Sequence, residues 1–308
     1  MEQKLRPEVY IYIAAVTAML FWGMSFIWTS IVFESYSPIT TIFLRLLLSS
    51  VFLFLFMAIT GRFQKIRREH TLLILVSALF NPFFYFIGEN YGLKYSTATI
   101  SAVIIATIPL VTPVAAWLMI KEKVSWVNIA GILISFSGIL LMVFKPDLSL
   151  ATEPRGILML FFAVFSAVIY SILLRRLTKY YRAVSIVAWQ NLIGTGMFLP
   201  LFLIMDLSDF LEVVPSGRLI TALLSLAILA SSIAFILFTI SIKHLGVSRA
   251  NVYGNLIPVF TAVASYYVLQ ESFTSRKISG IILVITGVII TQIKRKYQYE
   301  KEKNRSTW

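Results

Sequence analysis

The feature that most constrains this chain is a succession of apolar stretches, each roughly 20 residues long and separated by short polar breaks. Ten can be marked out, approximately Val9–Phe33, Pro38–Thr60, Thr71–Tyr91, Thr97–Ile120, Ser125–Phe144, Gly156–Leu174, Val184–Met205, Gly217–Ile242, Val247–Leu269 and Lys277–Ile293. At a rise of about 1.5 Å per residue, a helix of that length matches the hydrocarbon core of a bilayer. A soluble domain is nearer ~25% charged, whereas this chain is 58% hydrophobic and 13% charged. Lipid forbids unpaired exposed backbone, which leaves helix bundles or closed barrels. The runs are too long and alternate too weakly for barrel strands, so the predicted fold is an all-α integral membrane protein of ten transmembrane helices. Tight turns near 92–96 and 121–124 make neighbouring helices antiparallel and leave no room for a soluble domain.

The polar residues exclude several chemistries. There is no cysteine among the 308 residues, so disulfides and thiolate metal sites are ruled out. His70 and His244 fall in predicted loops, where a lone histidine reads as surface. No metal or other cofactor is expected, and no converging acids and histidines suggest an intramembrane enzyme. The N-terminal stretch is basic and then apolar, like a signal peptide. Its apolar run is too long for one and has no clear cleavage site, so it reads as the first span.

Lysine and arginine set the orientation, because positive loops stay cytoplasmic. With the N-terminus inside, the inner segments and span ends hold 20 of the 27 basic residues and the outer ones hold six, with Arg45 alone well inside a span. Both termini are therefore expected in the cytoplasm, and the formal charge of +13 is explained without a nucleic-acid partner. The basic tail at 295–308 is expected to lie against anionic headgroups.

An internal repeat sharpens this picture. The stretch PLVTPVAAWLMIKEKVSWVNIAGILISFSGILLMV from Pro109 aligns without a gap on PVFTAVASYYVLQESFTSRKISGIILVITGVIITQ from Pro258. A constant offset of 149 residues pairs Pro109 with Pro258, Glu122 with Glu271, Gly131 with Gly280 and Gly138 with Gly287. Chance alignment of apolar helices would not match a proline, an acid and two glycines in one frame. Two repeats are expected, over 1–146 and 147–294. Five spans in each would insert the copies upside down relative to one another, the symmetry of alternating-access carriers.

The segment LFWGMSFIWTS near Leu20, the arginine in TTIFLRLLLSS, Pro109 in the fourth span and the recurring P-(12)-E-(8)-G-(6)-G spacing together resemble the EamA-type family of the drug/metabolite transporter superfamily. The resemblance covers nearly the whole chain. It implies ten spans with cytoplasmic termini, a central cavity, a place in the cytoplasmic membrane of a prokaryote, and export of amino acids, related metabolites or small amphipathic compounds. The sixth span, FFAVFSAVIYSILLRR, lacks the Trp22–Gly23 pair of the first, so the halves have specialised.

Individual residues suggest where such a solute would pass. Arg45 is costly in a span and needs a partner or a wet cavity. Glu89 is the candidate partner, as a structural pair or as a group that orients solute or takes up a coupling proton. Asn81–Pro82, Pro109 and Pro258 interrupt their helices near mid-span and are candidate hinges. Asn251 and Asn255 share a helix face beside Tyr253, while Trp189, Gln190 and Asn191 lie at comparable depth. Such amides serve either as interhelical glue or as cavity lining. Trp22 and Tyr85 are candidate cavity aromatics. Glu122 and Glu271 follow span ends and suit turn capping or salt bridges there, and Gly131, Gly138, Gly280 and Gly287, with Gly88 and Gly92, suit close helix packing. A secondary carrier is the expected function, with an uncoupled facilitator or pore as the alternative. The expected partners are the bilayer and a small organic solute, and the sequence leaves monomer and homodimer both open.

Overall fold

The computed structural model describes residues 7–111, 126–144, 147, 151–287, 289 and 290. Glu122, the repeat partner of Glu271, and the basic tail lie outside the described residues. The described helices are α1 (Pro7–Val32), α2 (Pro38–Ile59), α3 (Arg68–Lys94), α4 (Ala98–Val111), α5 (Trp126–Val143), α6 (Pro154–Leu177), α7 (Ala183–Met205), a short α8 (Leu207–Glu212), α9 (Gly217–Leu245), α10 (247–268) and α11 (275–287). Among the described residues six of them, α1, α2, α3, α6, α7 and α9, are long and apolar enough to cross a membrane. Leu133, Phe165, Ile204 and Val263 lie on the outside of the bundle, a surface that requires hydrocarbon rather than water. His244, expected in a loop, instead occupies the last turn of α9.

Local sequence explains where the helices begin. The Ser37 hydroxyl accepts the Thr40 N–H, and Pro38 supplies the fixed φ favoured in a first turn. Asp206, at the far end of α7, adds a second cap by accepting from the Thr40 N–H at 3.0 Å, the Thr40 hydroxyl at 2.8 Å and the Ser37 hydroxyl. This ties the start of α2 to the end of α7. At the same kind of position Thr97 caps α4, and Glu271 accepts from the hydroxyls of Thr99 and Ser265, with Lys277 3.9 Å away. Glu271 therefore joins the end of α10 to the start of α4, a longer reach than a local turn cap.

Among the described residues four helices are interrupted, and the interruptions come in pairs. In α3, residues Leu79–Phe84 widen into a π-turn in which Asn81 leaves helical geometry at φ −148°, ψ 118°. Pro82 causes this, since its ring excludes the helical region for the preceding residue and it has no N–H to donate. In α9, a π-turn spans Leu226–Ile233. Shifted by 149 residues, the first segment falls on the second. The same shift carries the break at Ala106–Thr107 in α4, just before Pro109, onto the 3₁₀ turn Tyr253–Leu256 in α10, just before Pro258.

Packing follows the same exchange. Helix α1 lies against α9 and α10, α6 lies against α3 and α4, α2 faces α7, and α4 faces α10. A Cβ on Gly138 would sit 2.7 Å from the Gly280 carbonyl, and one on Gly287 would sit 2.5 Å from the Gly131 carbonyl. Moving 149 residues turns one of these contacts into the other. Between them the Ser135 hydroxyl donates to the Val284 carbonyl at 3.0 Å, a pair itself 149 residues apart. Helices α5 and α11 thus meet backbone to backbone through their glycines. Gly88 does the same for α3 on α6, where a Cβ would lie 2.6 Å from the Met159 carbonyl.

These contacts predict opposite outcomes for two glycines. Gly138→Val inserts a side chain against backbone and is expected to cost about 1–3 kcal/mol. Gly196→Ala, at a helical position with open space around it, is expected to be neutral or to stabilise by up to ~1 kcal/mol. Thermal unfolding of the purified variants in detergent measures both, and equal stability of the two variants would contradict this packing.

Candidate functional site

A cavity opens where α1, α3, α4, α6, α9 and α10 converge. Its volume is about 590 Å³ including open space at its edge. The wall is mostly apolar and aromatic: Met19, Trp22 and Phe26 from α1, Ile105 and Ile108 from α4, and Phe235 and Phe238 from α9 contribute most of it. Polar groups are few: Asn81, Tyr85 and Glu89 from α3, Tyr170 and Ser171 from α6, and Asn251 from α10. A concave, apolar site with a few convergent polar groups is the usual form of a small-molecule site.

Glu89 is the acid on this wall among the described residues. The Tyr85 hydroxyl, one helical turn away, donates to Glu89 Oε1 at 2.8 Å. Arg45 stands behind it on α2, only 1% exposed, with Nη1 3.8 Å from Glu89 Oε2. That separation is an ion pair but too long for a hydrogen bond. Arg45 is held instead by Nε donating to the Ser231 hydroxyl at 2.8 Å and by the Phe86 ring, whose centre lies 4.2 Å from the guanidinium carbon. Its Nη1 has no hydrogen-bond partner. The pair joins α2 to α3, Ser231 adds α9, and the carboxylate, not the guanidinium, faces the cavity.

The π-turn of α9 explains how Arg45 is positioned. A π-turn disturbs the regular helical ladder and leaves carbonyls available to other partners. The Ser232 hydroxyl donates to the Ala227 carbonyl at 2.8 Å, Trp22 Nε1 to the Ala230 carbonyl at 3.3 Å, and Asn191 Nδ2 to the Ser231 carbonyl at 3.0 Å. Asn191 Nδ2 also donates to the Ser49 hydroxyl at 2.7 Å, which in turn meets the Ser232 hydroxyl at 2.6 Å. Trp22 is fixed further by edge and tilted contacts with Phe235 and Phe238, at 4.9 and 4.8 Å between centroids. A helix irregularity thus anchors both the main aromatic of the wall and the arginine behind it.

The residues singled out in the sequence divide accordingly. Trp22, Asn81, Tyr85, Glu89, Pro109 and Asn251 line the cavity, and Pro82 shapes the turn that presents Asn81. Arg45 is one side chain removed from the wall. Gln190 and Asn191 are occupied elsewhere: Gln190 donates to Ser77 at 2.7 Å and accepts from Tyr170 at 3.2 Å, while Asn191 holds the serines beside Arg45. Trp189 donates to the Gln64 carbonyl at 3.0 Å and packs on Phe54, near the ends of α2 and α7. Tyr253 lies beside Tyr12, and Asn255 and Pro258 are buried away from the cavity. The 3₁₀ turn rotates the chain between Asn251 and Asn255, so the helical spacing that placed them on one face does not hold there. Tyr170, Ser171 and the phenylalanines of α9 were not singled out, because one aromatic among many, or one serine in an apolar helix, carries no distinguishing pattern.

Comparison with known proteins agrees with this architecture. The model of the EamA-like transporter family matches twice, over residues 9–144 and 154–293. The chain is 24% identical over 296 residues to the uncharacterized transporter YetK of Bacillus subtilis, covering 95% of this chain and 89% of the relative. It is 27% identical to an uncharacterized transporter of Archaeoglobus fulgidus, covering 90% of this chain and 95% of the relative. A solved crystal structure superposes with a TM-score of 0.69 at 16% identity, covering 92% of this chain and 98% of that one, which shows a shared fold. With the family model matched along both halves, this chain belongs to the EamA-like transporter family of multi-pass membrane proteins.

Proposed function

We infer that this chain is a secondary transporter that exports a small amphipathic organic solute by alternating access, through the cavity between two inverted five-helix repeats. The observation that carries this reading is the cavity itself, walled by helices from both halves at the depth where paired helices are interrupted. Interrupted helices around a central site are how carriers place backbone groups and flexion next to a solute. The contacts exchanged by the 149-residue shift support the repeat, because two equivalent halves can trade conformations and move an opening from one side to the other. The excess of lysine and arginine on one set of loops supports cytoplasmic termini in the cytoplasmic membrane.

The wall supports the solute class. Aromatic and aliphatic faces suit an apolar body, and Glu89 with Asn81 and Asn251 suits one polar end. Asn251 Nδ2 is buried without a hydrogen-bond partner, which leaves a donor for the solute to satisfy. The relatives are described as transporters with no stated solute, so the class rests on the wall.

Two measurements test this. Purified protein in liposomes is expected to show counterflow of an amphipathic solute found by thermal-shift screening, and Trp22→Ala to reduce that uptake at least tenfold while the protein still folds. Flux that neither saturates nor shows counterflow would mean a pore. Separately, Arg45→Met alone leaves Glu89 buried without its counter-charge and is expected to destabilise by about 3–5 kcal/mol, with Arg45→Met/Glu89→Gln recovering most of that loss. Thermal unfolding of the single and double variants measures the coupling, and additive losses would contradict the pair.

A further inference from the structure

Away from the cavity, the connection between α2 and α3 is fastened to the connection between α6 and α7 by hydrogen bonds that join residues 114 to 118 apart in the chain. The Gln64 side chain donates to the Tyr180 carbonyl at 3.3 Å and accepts the Arg182 N–H at 3.1 Å, while its own carbonyl takes Trp189 Nε1 at 3.0 Å. The buried Tyr181 hydroxyl accepts the Arg67 N–H at 3.0 Å and lies 2.9 Å from His70 Nδ1. The His70 ring also packs on Tyr180, with 4.2 Å between centroids.

This fastening gathers cations. Arg62, Lys65, Arg67 and Arg68 on the first connection and Arg176, Lys179 and Arg182 at the second are all exposed. Among the described residues only Arg67 of these has an acid within ion-pair distance, Glu69 at 3.4 Å, and that pair is open to water and worth little. Insertion topology accounts for lysine and arginine on both connections, but not for pinning the two to each other, which sets like charges side by side at a cost. The equivalent stretch 149 residues on, 211–219, has Arg218 as its one cation, and Glu34 faces it at 3.3 Å. The neighbours identify the anion that offsets the cost. Ile59, 85% exposed, and the exposed Phe63 precede and follow Arg62 closely in the chain, and Tyr180 is exposed beside Lys179. Ile59 ends a helix whose outer face requires hydrocarbon, so these cations stand at the depth of lipid headgroups. Long basic side chains there reach phosphate while aromatic rings stay at the interface.

We propose that the connections at 62–68 and 176–182 form one site for the headgroup of an anionic phospholipid, its phosphate shared between cations of both and its acyl chains beside Ile59 and Phe63. One connection comes from each half of the chain, so the bound lipid reinforces the hydrogen bonds that join the halves at this end of the bundle. The site lies apart from the cavity and does not rest on the transport reading.

The experiment uses the purified full-length chain in neutral detergent, with palmitoyl-oleoyl phosphatidylglycerol as probe and the phosphatidylcholine of the same acyl chains as its zwitterionic counterpart. Native mass spectrometry measures the affinity for each lipid. Phosphatidylglycerol is expected to bind about tenfold tighter or more, an advantage that shrinks as salt is raised from about 0.1 to 0.5 M. Lys65→Gln/Arg67→Gln/Lys179→Gln/Arg182→Gln is expected to abolish that advantage and leave phosphatidylcholine unchanged. Gln64→Ala/Tyr181→Phe keeps every charge but unties the connections, and is expected to weaken phosphatidylglycerol about threefold or more. Neutralising Lys296, Lys301, Lys303 and Arg305 in the basic tail is expected to leave the advantage in place. Equal affinity for the two lipids, an equal loss from the tail variant, or full affinity in the untied variant would overturn the proposal. Displacement of phosphatidylglycerol by inorganic phosphate or by a polyglutamate peptide would also overturn it, in favour of a soluble anion. Should the fourfold variant fail to fold, the lipid comparison and the untied variant decide.

Discussion

The buried guanidinium of Arg45 is the constraint around which the centre of this protein is organised. A charge that deep in an apolar bundle must be compensated, and the compensation here is distributed among Glu89, Ser231 and the face of Phe86. Each partner comes from α3 or α9, the two long helices that carry π-turns. The arginine therefore ties helix irregularity to charge. Asn191 and Ser49 hold the α9 segment in register, and Tyr85 holds the carboxylate toward the cavity.

Helix breaks do the complementary work. In a continuous helix each carbonyl is already engaged in the helix's own ladder, whereas the π-turn leaves carbonyls less committed for Trp22 and Asn191. The π-turn of α9 gives both an acceptor, and the extended Asn81 turns the wall of α3 toward the cavity. Each break has an equivalent in the other half, yet the chemistry is one-sided: Phe238 occupies the position 149 residues beyond Glu89, and both line the cavity. At this pair of equivalent positions one half supplies a charge and the other an aromatic ring, while both halves contribute aromatics to the wall.

Much of this was legible from the chain because membrane insertion imposes simple rules. Apolar length predicts α1, α2, α3, α6, α7 and α9, and an arginine in a span demands a partner, which made Glu89 readable at long range. Pro82 announced the break in α3. The π-turn of α9 has no proline, and nothing in LAILASSI separates it from a regular helix. Its position follows only from the shift that relates it to the α3 break. Trp189, Gln190 and Asn191 illustrate the converse limit. Amides at the right depth were visible, but whether each meets a serine or a cavity depends on helix rotation, which a weakly amphipathic membrane helix does not encode. Asn255 departs from Asn251 for a related reason, since a 3₁₀ turn changes the angular step between them.

Opening of the cavity to one side of the membrane at a time can be followed by thiol labelling, which a sequence without cysteine makes simple. A Ser171→Cys substitution places one thiol on the wall. Thr99→Cys with Ser265→Cys then allows a disulfide to lock the helix ends whose hydroxyls lie 3.0 Å apart. With the lock closed, an impermeant reagent should no longer reach position 171 from that face of the membrane but should still reach it from the other. Loss of labelling from both faces together, or from neither, would contradict alternating access.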